Sequence, residues 1–298
     1  MTLSVVIITY NEEANIARTL QSVMPLVRDG RGEIIVVDSG STDRTIEIAK
    51  SFGAKVFVEE WKGYAAQKNS AIDKATGDWI LSLDADEEVD SELVATLRAG
   101  EQSGDPHEWC LTAGPSVPHP SKGGSPAGLF VRRRNYFLGR SLQYGGFWPD
   151  PKLRLFQRGR GRFEDRAVHE DIQVDGRTGR IQHGALIHHS YPTLSDYIDH
   201  MNHYSSLGAE MVVAKANSHF SQNRREVGHP DQGHPPSNQP SISFSLVNIV
   251  FRPLATFIYN YFFRLGFLDG REGLLLHLYH SVYVSWKYAK AWETGQRH

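Results

Sequence analysis

At 298 residues, 40% hydrophobic and 22% charged, the chain has ordinary globular composition and the length of one large domain with room for an appendage. Its one cysteine, Cys110, excludes an internal disulfide and suits a reducing compartment. The formal net charge of −2 hides an asymmetry, because residues 1–108 carry 10 Lys/Arg against 20 Asp/Glu, residues 121–166 carry 11 against 3, and residues 241–298 carry 6 against 3.

Leu3 to Ile8 is a short apolar run rich in β-branched residues and reads as a buried strand. No charged stretch with an apolar core precedes it, so no secretory signal is expected. Asn11 offers a helix cap, and Ile16, Leu20, Val23 and Met24 follow at helical spacing, with Pro25 helping to stop the helix. Ile34 to Val37 reads as a second strand, and Ser41 or Thr42 as the cap of a second helix closed by Gly53. A third strand is expected at 54–58, a helix at 64–75, a fourth strand at 79–83 and a helix from Ser91. This alternation predicts a parallel sheet with helices on both faces, whose ligands bind at the carboxyl ends of the strands. Thr9-Tyr10-Asn11, Asp38-Ser39-Gly40 and Asp84-Ala85-Asp86 all fall at such ends.

From 109 to 190 short strand-like runs (129–133, 153–157, 185–190) are separated by Gly- and Pro-rich loops. A helix is expected over 194–215. Residues 217–240, nearly devoid of apolar side chains, read as a flexible linker. Residues 242–263 are long and apolar enough to suggest a membrane span, but Asn248, Arg252, Thr256, Asn260 and Arg264 recur every four residues as a polar stripe. With a second helix carrying Leu275, Leu278, Val282 and Trp286, this predicts an amphipathic pair that docks on the rest of the chain and on the cytoplasmic membrane surface. Core packing and a dimer interface are the plainer alternatives. There is no internal repeat and no nucleic-acid motif.

Asp84 and Asp86 lie two residues apart past a buried strand, so one carboxylate can bind Mg²⁺ or Mn²⁺ while the other reaches a hydroxyl. A solvated acidic turn is the plain alternative. Asp38 can accept from a base or ribose, or can satisfy backbone donors of its own loop. Arg132, Arg133 and Arg134 occupy a strand-like run and cannot all face one site. Trp148 can present its ring to a sugar, and Arg154 can meet a diphosphate or an anionic acceptor. The 14 histidines, His188, His189, His200 and His203 among them, complete no zinc signature.

Four motifs in order, Val5-Val6-Ile7-Ile8-Thr9-Tyr10-Asn11-Glu12, Val36-Val37-Asp38-Ser39-Gly40-Ser41-Thr42-Asp43, Lys62-Gly63-Tyr64-Ala65-Ala66-Gln67-Lys68-Asn69 and Leu83-Asp84-Ala85-Asp86-Glu87, resemble family 2 glycosyltransferases. The resemblance implies an α/β GT-A fold, a Rossmann-like and mostly parallel sheet with flanking helices, and inverting transfer from a nucleotide-diphosphate sugar, usually a UDP-sugar, with a divalent metal. It implies nucleotide-sugar contacts at Thr9, Tyr10, Glu12, Asp38, Gln67, Lys68 and Asp84, and a metal ligand at Asp86. Ala167-Val168-His169-Glu170-Asp171 resembles the family's acidic base motif, with Glu170 ranked above Asp171 as base and His169 as a positioning residue. The expected organisation is a nucleotide-sugar half at 1–108, an acceptor and base half at 109–216, the linker at 217–240 and the membrane-associating region at 241–298.

Phe251-Arg252-Pro253-Leu254, Leu265-Gly266-Phe267-Leu268-Asp269-Gly270-Arg271 and Trp286-Lys287-Tyr288-Ala289-Lys290 resemble a bacterial subgroup that includes the lipopolysaccharide core β-1,4-glucosyltransferase. That likeness implies UDP-glucose, a saccharide or lipid-linked saccharide acceptor, and a peripheral location on the inner face of the cytoplasmic membrane. The rival expectations are a polyprenyl-phosphate sugar transferase and a non-enzymatic sugar-nucleotide-binding assembly protein.

Overall fold

The computed structural model describes residues 1–110, 125–164, 171–226 and 245–296. Contacts divide the chain into two compact units, Met1–Tyr136 with Phe147–Ser190, and Phe137–Gly146 with Tyr191–His298.

In the first unit β1 (Leu3–Thr9), β2 (Gly32–Asp38), β3 (Lys55–Val58) and β4 (Trp79–Asp84) lie parallel in the order β3-β2-β1-β4. Both faces of this sheet are covered. Val5, Ile7, Val36 and Leu81 enter one apolar core, and Val6, Ile35, Val37 and Ile80 enter the other. The period-2 alternation of a strand therefore delivers apolar side chains to both sides, which is why these strands read as continuous apolar runs. Helices α1 (Ile16–Val27), α2 (Thr45–Ser51), α3 (Tyr64–Asp73) and α4 (Ser91–Ser103) provide the covering layers.

Beyond β4 the sheet becomes mixed. β5 (Glu87–Val89), β6 (Gly128–Phe137), β7 (Arg140–Ser141), β8 (Asp150–Gln157), β9 (Gly161–Phe163), β10 (Ile172–Val174), β11 (Thr178–Arg180) and β12 (Leu186–Tyr191) follow. β4 pairs antiparallel with β8, β8 with β6, and β12 with β5. The α/β class with flanking helices is as expected; the sheet is mixed, with its four parallel neighbours in the first half and a further parallel pair between β11 and β6.

Helix starts differ from the expected caps for a local reason. Asn11 has φ of 54° and does not open α1, which begins at Ile16 after Asn15. Instead the Asn11 side chain accepts from the Thr42 amide at 2.9 Å, and its own amide donates to Ser41 Oγ at 2.8 Å. Ser41 and Thr42 are thus engaged in a loop-to-loop lock, and Asp43 accepts from the Thr45 amide at the start of α2. Pro25 lies inside α1, which ends two residues later at Val27. α4 is capped by Asp90, whose Oδ1 accepts from the Leu93 amide at 2.7 Å.

In the second unit α5 runs Leu194–Glu226, so the expected linker begins at least ten residues too early. Residues 217–226 are polar but contain neither Pro nor Gly, and nothing there ends a helix. Residues 227–240 lie outside the described part. α6 (Arg252–Ile258) is flanked by π-helical turns at Val247–Phe251 and Tyr259–Phe263, and α7 spans Gly270–Gln296. Asp269, buried, accepts from the Gln143 and Tyr144 amides at 3.0 Å each, fixing the 137–146 segment within this unit.

One buried group in the first unit gives a pH prediction. Both carboxyl oxygens of Glu101 are buried with no hydrogen-bond partner among the described residues. Burial pushes its carboxyl up to about 7, against the N-terminal ammonium, Arg31 and Arg98. A raised folded value favours the protonated form, so this stability is intact below pH ~4.5 and lost as pH rises through about 7. Glu101→Gln should leave the urea midpoint nearly unchanged at pH 4.5 and stabilise by about 2 kcal/mol at pH 8. Equal effects at both pH values would contradict it.

Candidate active site at the carboxyl edge of the sheet

The parallel register places Thr9 beside Asp38, and Ile8 beside Asp84. Three polar strand ends therefore meet along one edge, as the alternation of strands and helices predicts. At the first, Thr9 Oγ1 donates to Asp38 Oδ2 at 2.7 Å. Asp38 Oδ1 accepts from the Gly40 and Ser41 amides at 2.9 and 2.7 Å, and Oδ2 also accepts from Ser41 Oγ at 2.6 Å. The Asp38 carboxylate is fully buried and organises its own loop. Gly40, at φ 90°, lets the chain turn tightly around it. Tyr10 is exposed at the edge. Burial raises the Glu12 carboxyl despite a hydrogen bond from Asn15, and the neighbouring Asp86, Asp43 and Asp84 charges add to the rise.

At the end of β4 lies an alternating chain of charges. Lys68 Nζ, on α3, is 2.8 Å from Asp84 Oδ1 and sits over the Phe163 ring at 5.1 Å. Arg154 Nη2, on β8, donates to Asp84 Oδ2 at 2.5 Å and to Glu87 Oε1 at 2.8 Å. Glu87 Oε1 also accepts from Arg133 Nη1 at 3.3 Å, while its Oε2 accepts from the Asp84 amide at 3.1 Å. Arg133 then holds Asp150 Oδ2 at 2.7 Å. Arg154 is 6% exposed and Glu87 is fully buried. Burial alone would raise the Asp84 carboxyl, but the Arg154 guanidinium and Lys68 ammonium overcome it and hold Asp84 well below the usual carboxylate range. Burial works against the charge on Arg154, yet Asp84 and Glu87 raise its pKa further.

Asp86 sits differently. Its Oδ2 is 3.2 Å from His188 Nε2 on β12. His188 Nδ1 lies 2.8 Å from Asn135 Oδ1 and 2.7 Å from Ser190 Oγ, which fix the ring. Burial opposes ionisation of Asp86, and the His188 contact outweighs it, so the carboxyl lies below its ordinary value. The sequence reading set His188 aside with the other histidines, because it sits a hundred residues from the acidic pair; the antiparallel register His188↔Glu87 brings it there.

The remaining expected residues are more dispersed. Gln67 is fully buried, and neither polar atom of its amide has a partner among the described residues. The Trp148 ring lies 5.6 Å from the Arg132 guanidinium and 5.0 Å from that of Arg134, while Arg133 faces Glu87 and Asp150. The three arginines split as strand alternation requires. Asp171 is exposed at the start of β10, its carbonyl accepting from the Glu164 amide at 3.1 Å. His169 and Glu170 lie outside the described residues.

A divalent metal is implied by the resemblance, and the donor set is its test. Both Asp84 oxygens are engaged by cations, which leaves the Asp86 carboxylate and the His188 imidazole as a hard oxygen and a nitrogen donor side by side. Among the described residues no cluster of three or more His, Cys, Asp or Glu could hold an ion unaided. A pair of this kind fits Mg²⁺ or Mn²⁺ held jointly with diphosphate oxygens.

Residues 4–100 match the family model described as glycosyl transferase family 2. A lipopolysaccharide core biosynthesis glycosyltransferase, LpsC of Rhizobium meliloti, is 31% identical over 217 residues, covering 71% of this chain and 72% of that protein. An uncharacterized glycosyltransferase of Rickettsia typhi is 50% identical over 91 residues, 30% of each chain. Among solved structures, S. aureus TarS 1–349 in complex with UDP covers 100% of this chain and 92% of its own, at 17% identity and a TM-score of 0.44.

Proposed function

The chain belongs to the family 2 glycosyltransferases, and from that premise we propose that it moves a hexose, glucose in the first instance, from a UDP-sugar to a hydroxyl of a lipopolysaccharide-core or other cell-envelope saccharide. The observation that carries this reading is the meeting of Thr9, Asp38, Asp84 and Asp86 at one sheet edge, together with the name of the Rhizobium relative. The 1–108 half takes the nucleotide sugar and the 109–216 half the acceptor and the base. Asp38 and Thr9 shape the loop that receives the nucleotide, Tyr10 offers an open ring to it, and Lys68 and Arg154 hold Asp84 ionised for a sugar or ribose hydroxyl. Asp86 and His188 would hold Mg²⁺ or Mn²⁺, which when bound neutralises charge on the departing diphosphate. Inversion needs one base to take the acceptor proton as the hydroxyl attacks the anomeric carbon, and that role falls to Glu170, with Asp171 beside it. The reading includes a peripheral location on the inner face of the cytoplasmic membrane, next to a lipid-linked acceptor.

UDP release from a panel of UDP-sugars, with and without Mn²⁺ or Mg²⁺ and then with core oligosaccharide acceptors, tests the donor and acceptor. Glu170→Gln should lower acceptor-dependent turnover about a thousandfold, and Asp171→Asn less. Near-normal rates in both variants would remove the base assignment and favour a polyprenyl-phosphate acceptor, whose nucleophile is already anionic.

A further inference from the structure

We propose that the outward face of residues 246–268 is a docking surface for an anionic lipid bilayer, lying along the interface rather than crossing it. Of the 21 exposed large hydrophobic side chains among the described residues, 14 lie between Leu246 and Leu278. Val247, Phe251, Leu254, Ile258 and Phe262 recur at steps of three or four, so they form one stripe, and Phe263 beside it is 75% exposed. Asn248, Thr256 and Asn260 are half-buried and Pro253 is buried. The segment is inside out: the uncharged members of its polar stripe turn toward their own unit, and the apolar side turns away from it. A helix facing water has the opposite arrangement, because exposing apolar area costs about 25 cal/mol per Å².

The charges select the occupant. From Ser245 to Leu268 the only charged residues are Arg252 and Arg264, both exposed, and Arg271 follows, also exposed. Arg271 pairs with Glu272 at 2.8 Å, which leaves Arg252 and Arg264 as the charges of the face, and Asp269 is buried and engaged with the Gln143 and Tyr144 amides. The Arg252 guanidinium donates to the Tyr288 hydroxyl and lies over that ring, leaving it at the margin of the apolar stripe. A second copy of the chain would oppose arginines to arginines across such a face, whereas anionic headgroups complement them. The rich complement of Phe and Tyr suits the headgroup boundary.

α6 and its flanking π-helical turns form one helical run from Leu246 to Phe263 that Arg252 and the uncharged polar stripe interrupt, and Leu265 at φ 61° turns the chain before α7. No helix among the described residues is long and apolar enough to cross a membrane. An apolar face of this length is buried in lipid only by lying in the interface.

This inference deepens the membrane location in the reading above and rests on it only for the choice of lipid. Vesicle binding needs neither donor nor acceptor, so it fails or stands apart from the transferase assignment. The full chain should co-sediment with phosphatidylcholine vesicles containing phosphatidylglycerol, and more weakly with phosphatidylcholine alone. Phe262→Glu with Phe263→Glu should lower partitioning at least about tenfold, and Arg264→Gln about fivefold on anionic vesicles only. Circular dichroism checks that the double variant folds. Should it not, a polarity-sensitive dye at Phe263→Cys in a Cys110→Ser chain should shift to the blue on anionic vesicles. No co-sedimentation, no dye shift, or partitioning unchanged by the double variant would overturn the proposal. So would a dimer in sedimentation velocity that the double variant abolishes in a chain that ignores vesicles.

Discussion

Replacing Asp86 by alanine should lower UDP-sugar turnover by about two to three orders of magnitude, because it removes the charged member of the Asp86–His188 pair. Asp86 is the carboxylate of this edge whose contacts, unlike those of Asp84, leave a cation-binding role open. His188→Ala should retain more activity and weaken Mn²⁺ binding about 10- to 100-fold, as expected when the nitrogen donor or its orienting shell is lost. Calorimetric titration of Mn²⁺ into the UDP-bound protein reads the affinity, and UDP release reads the rate. If Asp86→Ala turned over normally at every Mn²⁺ concentration, the metal would have to be held elsewhere or not be needed.

Arg154→Met should be the most destabilising change at the site, at about 3–5 kcal/mol in urea unfolding. The cost does not come from an especially favourable ion pair. It comes from leaving Asp84 and the fully buried Glu87 without the guanidinium that both share. The effect also has a pH signature. Asp84 is held well below its ordinary value, so its contribution is present above pH ~4 and is lost as pH falls through the folded value. The difference between wild type and Arg154→Met should therefore narrow in acid. A loss that is small, or that stays constant down to pH ~2, would show that the charge chain from Lys68 to Asp150 does not work as a unit.

The fold gives two of the expected contact residues, Arg154 and Asp38, partners within the chain. Arg154 looked like a phosphate ligand in the sequence, since a basic residue on an alternating strand beside a diphosphate-binding edge invites that role. In the fold, antiparallel pairing of β8 with β4 brings Arg154 against the carboxylates of the acidic turn. Asp38 reads in sequence either as a base or ribose ligand or as a partner of its own loop's backbone donors, and its four internal hydrogen bonds make it the organiser of the loop. Both are cases in which a charged residue serves the geometry of the edge before it can serve a ligand.

The sequence by itself determined the order and type of the main strands and helices in the first hundred residues, though not the helix starts or β5. Strands buried on both faces are written as uninterrupted β-branched runs, and strand-helix alternation leaves one edge for ligands, so Thr9, Asp38, Asp84 and Asp86 could be placed together without coordinates. The tertiary structure decided what depends on pairing between distant segments. It set the antiparallel register that brings His188 to Asp86, the partners of Arg154, and the orientation of the 246–268 segment. A helical period shows that a segment has an apolar and a polar face, but it carries no sign. Only packing against α7 and the rest of its unit reveals that the apolar face is the one turned outward.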